Sequence, residues 1–217
     1  ADSNENLANA LGFNPKDISE MKKLRHYMDD IYKHTKTDEN WEIRHITPKK
    51  DAGKYIFDRN KNDTFLDSIT LKKGNTSIMH LGTVDEDKRG IQSMCGSFGL
   101  LRVFLNHLEV AQNHHLVLDL PAGNELLTRA TVISMDEVVL VVEPTLKNLT
   151  VAKDILMSLN ILDFKNVLCI INKSFDKKDI KFVSKELGID KRNIIRIPFS
   201  RELLELDNEG KLSYDTA

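Results

Sequence analysis

His115-Leu-Val-Leu-Asp-Leu-Pro-Ala-Gly123 is the stretch on which the reading of this chain turns. Its apolar run reads as a buried strand of a parallel sheet, ended by Asp119 and turned by Pro121-Ala122-Gly123. Ligands of open parallel sheets bind at the carboxyl ends of the strands, which is where this reading puts Asp119. A carboxylate there suits Mg²⁺ carried by a phosphate, because Mg²⁺ keeps several waters and takes one or two carboxylates. Gly123, without a side chain, lets a backbone amide approach a terminal phosphate. The same residues also describe a plain strand-end turn, so the rest of the chain has to decide.

Downstream, strand and helix alternate. Glu137–Val142 reads as a strand, Asn148–Leu159 as a helix, Asn166–Ile171 as a strand and Asp176–Leu187 as a helix. Asn193–Ile197 and Arg201–Leu206 then add a strand and a short helix, and Asn124–Ser134 reads as a helix after the opening strand. Continuous Val/Ile/Leu strands between helices predict an α/β fold, a mostly parallel sheet with helices on both faces. The strands at 115–120, 137–142, 166–171 and 193–197 are expected to be adjacent. That would bring Asp119, Asn172 and Pro198 to one sheet edge.

Upstream the pattern is less regular. Ile18, Met21, Leu24, Met28 and Ile31 recur at helical spacing, predicting one amphipathic helix over 17–33. Residues 35–75 are polar and turn-rich, with strand signals at 54–57 and 65–71. They read as an irregular insertion on a single domain spanning 1–217. Ser77–Leu81 reads as a strand, Gly82–Gly99 as a long loop and Leu100–Ala111 as a helix with Leu101, Leu105 and Leu108 inward.

Bulk composition narrows the function classes. The 217 residues are 41% hydrophobic and 29% charged, ordinary for a soluble globular protein. A net charge of −2 gives no electrostatic reason to expect nucleic acid or an anionic membrane as partner. No apolar run approaches a membrane span. Two cysteines, Cys95 and Cys169, are too few for a disulfide scaffold and point to a reducing, cytoplasmic setting. Cys169 lies inside the strand Val167–Ile171 and reads as core. Of the seven histidines only His80, at the end of a strand near the 82–99 loop, is placed to join a metal site.

Asn172-Lys173 follows a buried strand directly, and Ile197-Pro198-Phe199-Ser200 closes the next one. An amide side chain carries a donor and an acceptor that can read a purine edge, and Pro198 with Phe199 can wall the base. Taken in order with Asp2, HLVLDLPAG, GTVDEDKRG at 82–90, EPTLKNL at 143–149 and CIINK at 169–173, these stretches resemble a known family. It is the nickel-insertion accessory ATPases of carbon monoxide dehydrogenase, within the deviant Walker-A P-loop class. ADSNENLANALG at 1–12, ISEMK at 18–22, MHLGTVDE at 79–86 and MCGSFGLLRVFLNHL at 94–108 carry the narrower likeness, which covers nearly the whole chain.

The resemblance implies roles residue by residue. Asp2 would match the second carboxylate of the switch I Asp-x-Asp, orienting the attacking water or the Mg²⁺ shell. Asp119 would match the Walker B Asp, and Gly123 the switch II glycine at the γ-phosphate. Asn172 and Lys173 would read adenine, with Pro198 in the loop over the base. Implied with them are ATP and Mg²⁺, a nucleotide-dependent homodimer, nickel or zinc as the metal handled, and carbon monoxide dehydrogenase as client.

Two departures matter. No GxxxxGK[ST] occurs in the sequence, although that loop's amides and lysine hold the β- and γ-phosphates. The family places it before Asp2, in a unit of roughly 30 residues or more. The chain by itself is therefore expected to bind ATP poorly and to be a clipped copy of a full ATPase, opening at Ala1 without Met. The family's Cys-x-Cys is the second departure, replaced here by Ser93-Met94-Cys95. A dimer would then offer two Cys95 thiolates rather than four, a poorer soft-metal site. The alternatives are a metal-independent switch ATPase of the partition or positioning type, and a non-catalytic interaction protein if the phosphate loop is truly absent.

Overall fold

A computed structural model of the chain describes residues 7–37, 48–58, 60–82, 94–120 and 131–211, with backbone alone for 94–96 and 131. They fall into two compact units, within Ala1–Pro121 and Ala122–Leu212.

In the second unit, strands β5 (Val138–Val142), β6 (Val167–Ser174) and β7 (Ile194–Pro198) form one parallel sheet in that order. Helices α6 (Leu146–Ile161) and α7 (Lys178–Leu187) make the crossovers that parallel neighbours require. Thr145 caps α6 by accepting a hydrogen bond from the Asn148 amide at 3.3 Å. Gly188 ends α7 at φ 69°, a left-handed conformation in which glycine carries no Cβ penalty. α8 (Arg201–Asn208) starts from Ser200, whose hydroxyl accepts from the Leu203 amide at 3.2 Å.

Strand alternation divides the sheet's side chains between two faces. Leu140, Val142, Cys169, Ile171 and Ile194 are buried with Leu149 and Ala152 of α6 and Val183 of α7. On the opposite face Val139, Val141, Ile195 and Ile197 are 42–57% exposed. Three of the four strands expected to be adjacent, at 137–142, 166–171 and 193–197, are present and neighbouring, and the α/β class with parallel strands holds.

The first unit contains α1 (Leu7–Ala10), α2 (Pro15–Glu20), α3 (Met28–His34), α4 (Thr64–Ser68) and α5 (Met94–Asn106). Its strands are β1 (Tyr55–Phe57), β2 (Leu71–Lys73), β3 (Thr76–Ile78) and β4 (Leu108–Val110). β1 runs parallel to β4, and β2 antiparallel to β3. From Ser97 to Leu105 every residue of α5 is buried, so this helix is enclosed on all sides. Arg102 lies within that stretch at 1% exposure, and burial lowers its guanidinium pKa.

Several local expectations change here. The single helix over 17–33 is instead α2, a 3₁₀ turn over Leu24–Tyr27, and α3. Met21 and Lys23 are extended, and the amides of Leu24 and Arg25 donate to the carbonyls of His80 and Leu81 at 2.9 and 3.1 Å. Backbone pairing to a distant segment overrides the helical period there. Residues 64–68 form a helix rather than the start of a strand, because Asp63 accepts from the amides of Phe65 and Leu66 at 3.0 and 2.9 Å. The helix expected over 100–111 runs over 94–106, and β4 follows it.

The opening segment itself is corrected. Residues 115–120 are in no strand; Leu116, Val117 and Leu120 are 38%, 83% and 38% exposed. A turn precedes them, in which the His114 amide donates to Ala111 O at 3.1 Å and Asn113 has φ 66°. A strand exists only through a ladder, and the described residues supply none to this segment, however apolar it is. Of the expected helix over 124–134, residues 131–134 form a 3₁₀ turn and the rest lie outside the described residues.

The two faces of the β5–β6–β7 sheet give a stability test. Ile171→Ala is expected to cost about 2–5 kcal/mol, since Ile171 is fully buried. Val141→Ala on the other face should stay within about 1 kcal/mol. Equal losses in urea unfolding would contradict this assignment of faces.

Candidate functional site

β5 ends level with Ile171 and β6 and β7 run on to the Ser174–Pro198 pair, so that the carboxyl ends carry Glu143, Asn172-Lys173-Ser174 and Pro198-Phe199-Ser200. β6 does not end as a regular strand. Ile171 pairs with Arg196 and Ser174 with Pro198, so β6 spends three steps where β7 spends two. The extra residue is a bulge, and Lys173 absorbs it at φ 54°. Left-handed backbone costs an ordinary L-residue about 1–2 kcal/mol, so surrounding contacts must hold it there.

Those contacts are present. The Asn172 amide oxygen accepts from the Lys173 N–H at 3.0 Å, which fixes the side chain against its own backbone. One lone pair of that oxygen and both amide N–H groups stay available to a ligand. Lys173 Nζ pairs with Glu143 Oε1 at 3.0 Å, tying the ends of β6 and β5. Both side chains are about half exposed (57% and 42%), so the pair orients more than it stabilises.

Ser174, 1% exposed, is the most connected residue of the edge. Its hydroxyl donates to Asp179 Oδ2 at 2.6 Å and accepts from Arg196 Nε at 2.8 Å, with Asp176 O also 3.1 Å away. Its carbonyl accepts from the Phe199 amide at 2.9 Å and lies 3.4 Å from Arg196 Nη2. Phe175 stacks on Phe199 with centroids 4.9 Å apart and planes 27° apart, yet Phe175 is 78% exposed. A chain of polar contacts, then a flat aromatic ledge, follows the bulge.

The remaining predicted site residues either belong to other segments or lie outside the described residues. Asp119 is exposed, on the segment 115–120 of the first unit rather than at a strand end. Asp2, Gly123 and Ser93 lie outside the described residues, as do 83–90 of the 82–90 motif. Cys95 is in the first turn of α5 and not in a loop before a helix. His80 is buried at 7% exposure. Cys169, fully buried, has its thiol pushed up to about 11 by burial, as a core cysteine should. Among the described residues no three His, Cys, Asp or Glu side chains converge on a metal position. No helix among them is long and apolar enough to cross a membrane.

Sequence reasoning missed Ser174, Asp179, Arg196, Glu143 and Phe175. The signal was faint: Ser174 directly follows Asn172-Lys173, with Asp179 in the first turn of the next helix.

No protein-family model matches the chain. It is 32% identical over 154 residues to an uncharacterised ATP-binding protein of Methanocaldococcus jannaschii, covering 70% of this chain and 58% of that protein. The chain thus spans little more than half the length of that relative. It is also 23% identical over 216 residues to the carbon monoxide dehydrogenase accessory protein CooC of Rhodospirillum rubrum, covering 99% of this chain and 76% of that one.

The bulge predicts an order of substitutions opposite to that of a regular strand. Lys173→Gly is expected to leave stability within about 1 kcal/mol of the parent, because glycine takes φ > 0 freely. Lys173→Val should cost about 1–2 kcal/mol, since its branched side chain is strained there. Chemical denaturation that finds Val better tolerated than Gly would place residue 173 in a regular ladder instead. The chain is thus similar to one protein named as ATP-binding and to one named as an accessory protein of carbon monoxide dehydrogenase.

Proposed function

We propose that this chain is part of an ATP-dependent maturation factor that inserts nickel into carbon monoxide dehydrogenase. The observation that carries the nucleotide part is the bulge at Asn172-Lys173, which sets an amide at the carboxyl end of a parallel sheet, two residues before the Ser174 that pairs with Pro198 and bonds the Phe199 amide. Asn pairs well with adenine, whose edge offers a donor and an acceptor. The similarity to an ATP-binding protein agrees with that chemistry, and the likeness to CooC supports the client.

In this reading Asn172 and Lys173 contact the base, and Pro198 covers it. Gly123 faces the γ-phosphate, and Asp2 and Asp119 serve hydrolysis. Asp119 fits a Mg²⁺ carried by phosphate, since an exposed carboxylate can reach the ion's water shell. Bound Mg²⁺ would neutralise charge on the transferring phosphoryl group. ATP binding would close a homodimer and bring two Cys95 together. Nickel, or zinc in its place, is the cargo, held by those thiolates and released after hydrolysis.

Two experiments test this reading on the protein encoded by the complete reading frame. Asp119→Ala is expected to lower Mg²⁺-dependent ATP hydrolysis on the order of a hundredfold. Turnover at the parental rate would reduce Asp119 to a turn residue. Equilibrium dialysis against Ni²⁺ under reductant should give about one ion per two chains, weakening as pH falls because thiolates must be deprotonated to ligate. Cys95→Ala should abolish that binding and Ser93→Cys should tighten it, while Cys169→Ala leaves it unchanged. Zero stoichiometry, with Ser93→Cys creating no site, would favour the metal-independent switch ATPase.

A further inference from the structure

Ser174, Asp179 and Arg196 are not among the residues given a role above, yet they join the end of β6 to β7 and to the first turn of α7. The Ser174 hydroxyl sits between a guanidinium and a carboxylate, donating to Asp179 Oδ2 at 2.6 Å and accepting from Arg196 Nε at 2.8 Å. Arg196 belongs to β7, and Asp179 to the first turn of α7, where the helix dipole favours a carboxylate. Asp179 Oδ2 also accepts from the Asp176 amide at 3.3 Å, which fixes the turn into α7. Three separate elements therefore meet at one buried hydroxyl.

Just before that hydroxyl, Lys173 is in a left-handed conformation and Asn172 is turned onto the Lys173 amide. Just after it, Phe175 lies stacked on Phe199. A bulge is free to slide or flatten unless its end is pinned, and a slip of one residue would turn Asn172 to the other side of the sheet. The pin here is Ser174. Hydrogen bonds to charged partners are the stronger kind, and this hydroxyl makes one to each sign of charge.

We propose that Ser174, Asp179 and Arg196 form a clamp of positioning residues that sets the Asn172 amide for a purine edge and thereby sets base selectivity. The clamp touches no ligand itself. This inference rests on the reading of Asn172 as the base-contacting residue.

The ratio of ATP to GTP affinity tests it, because that ratio is independent of the fraction of protein that is folded. It is measured on the protein encoded by the complete reading frame, with Mg²⁺, by competition against a fluorescent ATP analogue. In Ser174→Ala and Asp179→Ala the preference for ATP is expected to fall about tenfold, the loss of a well-placed hydrogen bond. Asp179→Asn, whose amide oxygen still accepts from Ser174 and from the Asp176 amide, should keep the parental ratio. Asn172→Ala should lose the preference outright. A Ser174→Ala variant that melts earlier but keeps the ratio would make the contact merely structural and overturn the clamp. If Asn172→Ala also keeps the ratio, or the parent binds ATP and GTP equally, the base-reading role itself fails, and the clamp with it.

Discussion

An extra residue in β6 governs the edge on which the functional reading depends. Up to Ile171 the three parallel strands are in simple register, and their side chains alternate between a buried and an exposed face. Had that register continued, Asn172 and Lys173 would have been two more alternating strand residues. Because Lys173 takes a left-handed conformation, the alternation breaks and Ser174 rejoins the ladder opposite Pro198. Steric cost at Lys173 is offset by contacts around it: the Asn172 amide on its N–H, Glu143 on its ammonium, and the buried Ser174 network beyond. A hydrophobic sheet thus presents a fixed set of polar groups at one end without loosening its core.

Much of the second unit was legible because its physics is repetitive. The strand Val138–Val142 is continuous Val/Leu, and α6 begins at Thr145 and α7 ends at Gly188, residues that satisfy free backbone groups. The first unit was less legible because its structure is decided by partners far away in sequence. Leu24 and Arg25 leave the helical pattern to bond His80 and Leu81, and nothing local announces that. Residues 115–120 show the converse: apolar composition is compatible with a strand but does not supply the neighbour that a strand needs.

The candidate site divides in the same way. Asn172, Lys173 and Pro198 could be picked out because amide, ammonium and proline at strand ends are unusual against a hydrophobic background. Ser174, Asp179 and Arg196 are common residue types, and their importance appears only when a hydroxyl is found buried between opposite charges. Contacts between elements are invisible to periodicity. The bulge was equally hidden, since lysine carries no compositional sign of a positive φ.

In the proposed function the carboxyl ends of β6 and β7 receive the base of a nucleotide. Photolabelling with 8-azido-ATP, followed by peptide mass spectrometry, tests it most directly. Crosslinks are expected within 171–176 and 198–200, suppressed by excess ATP. ATP-protected labelling confined to other parts of the chain would place the base away from these strand ends.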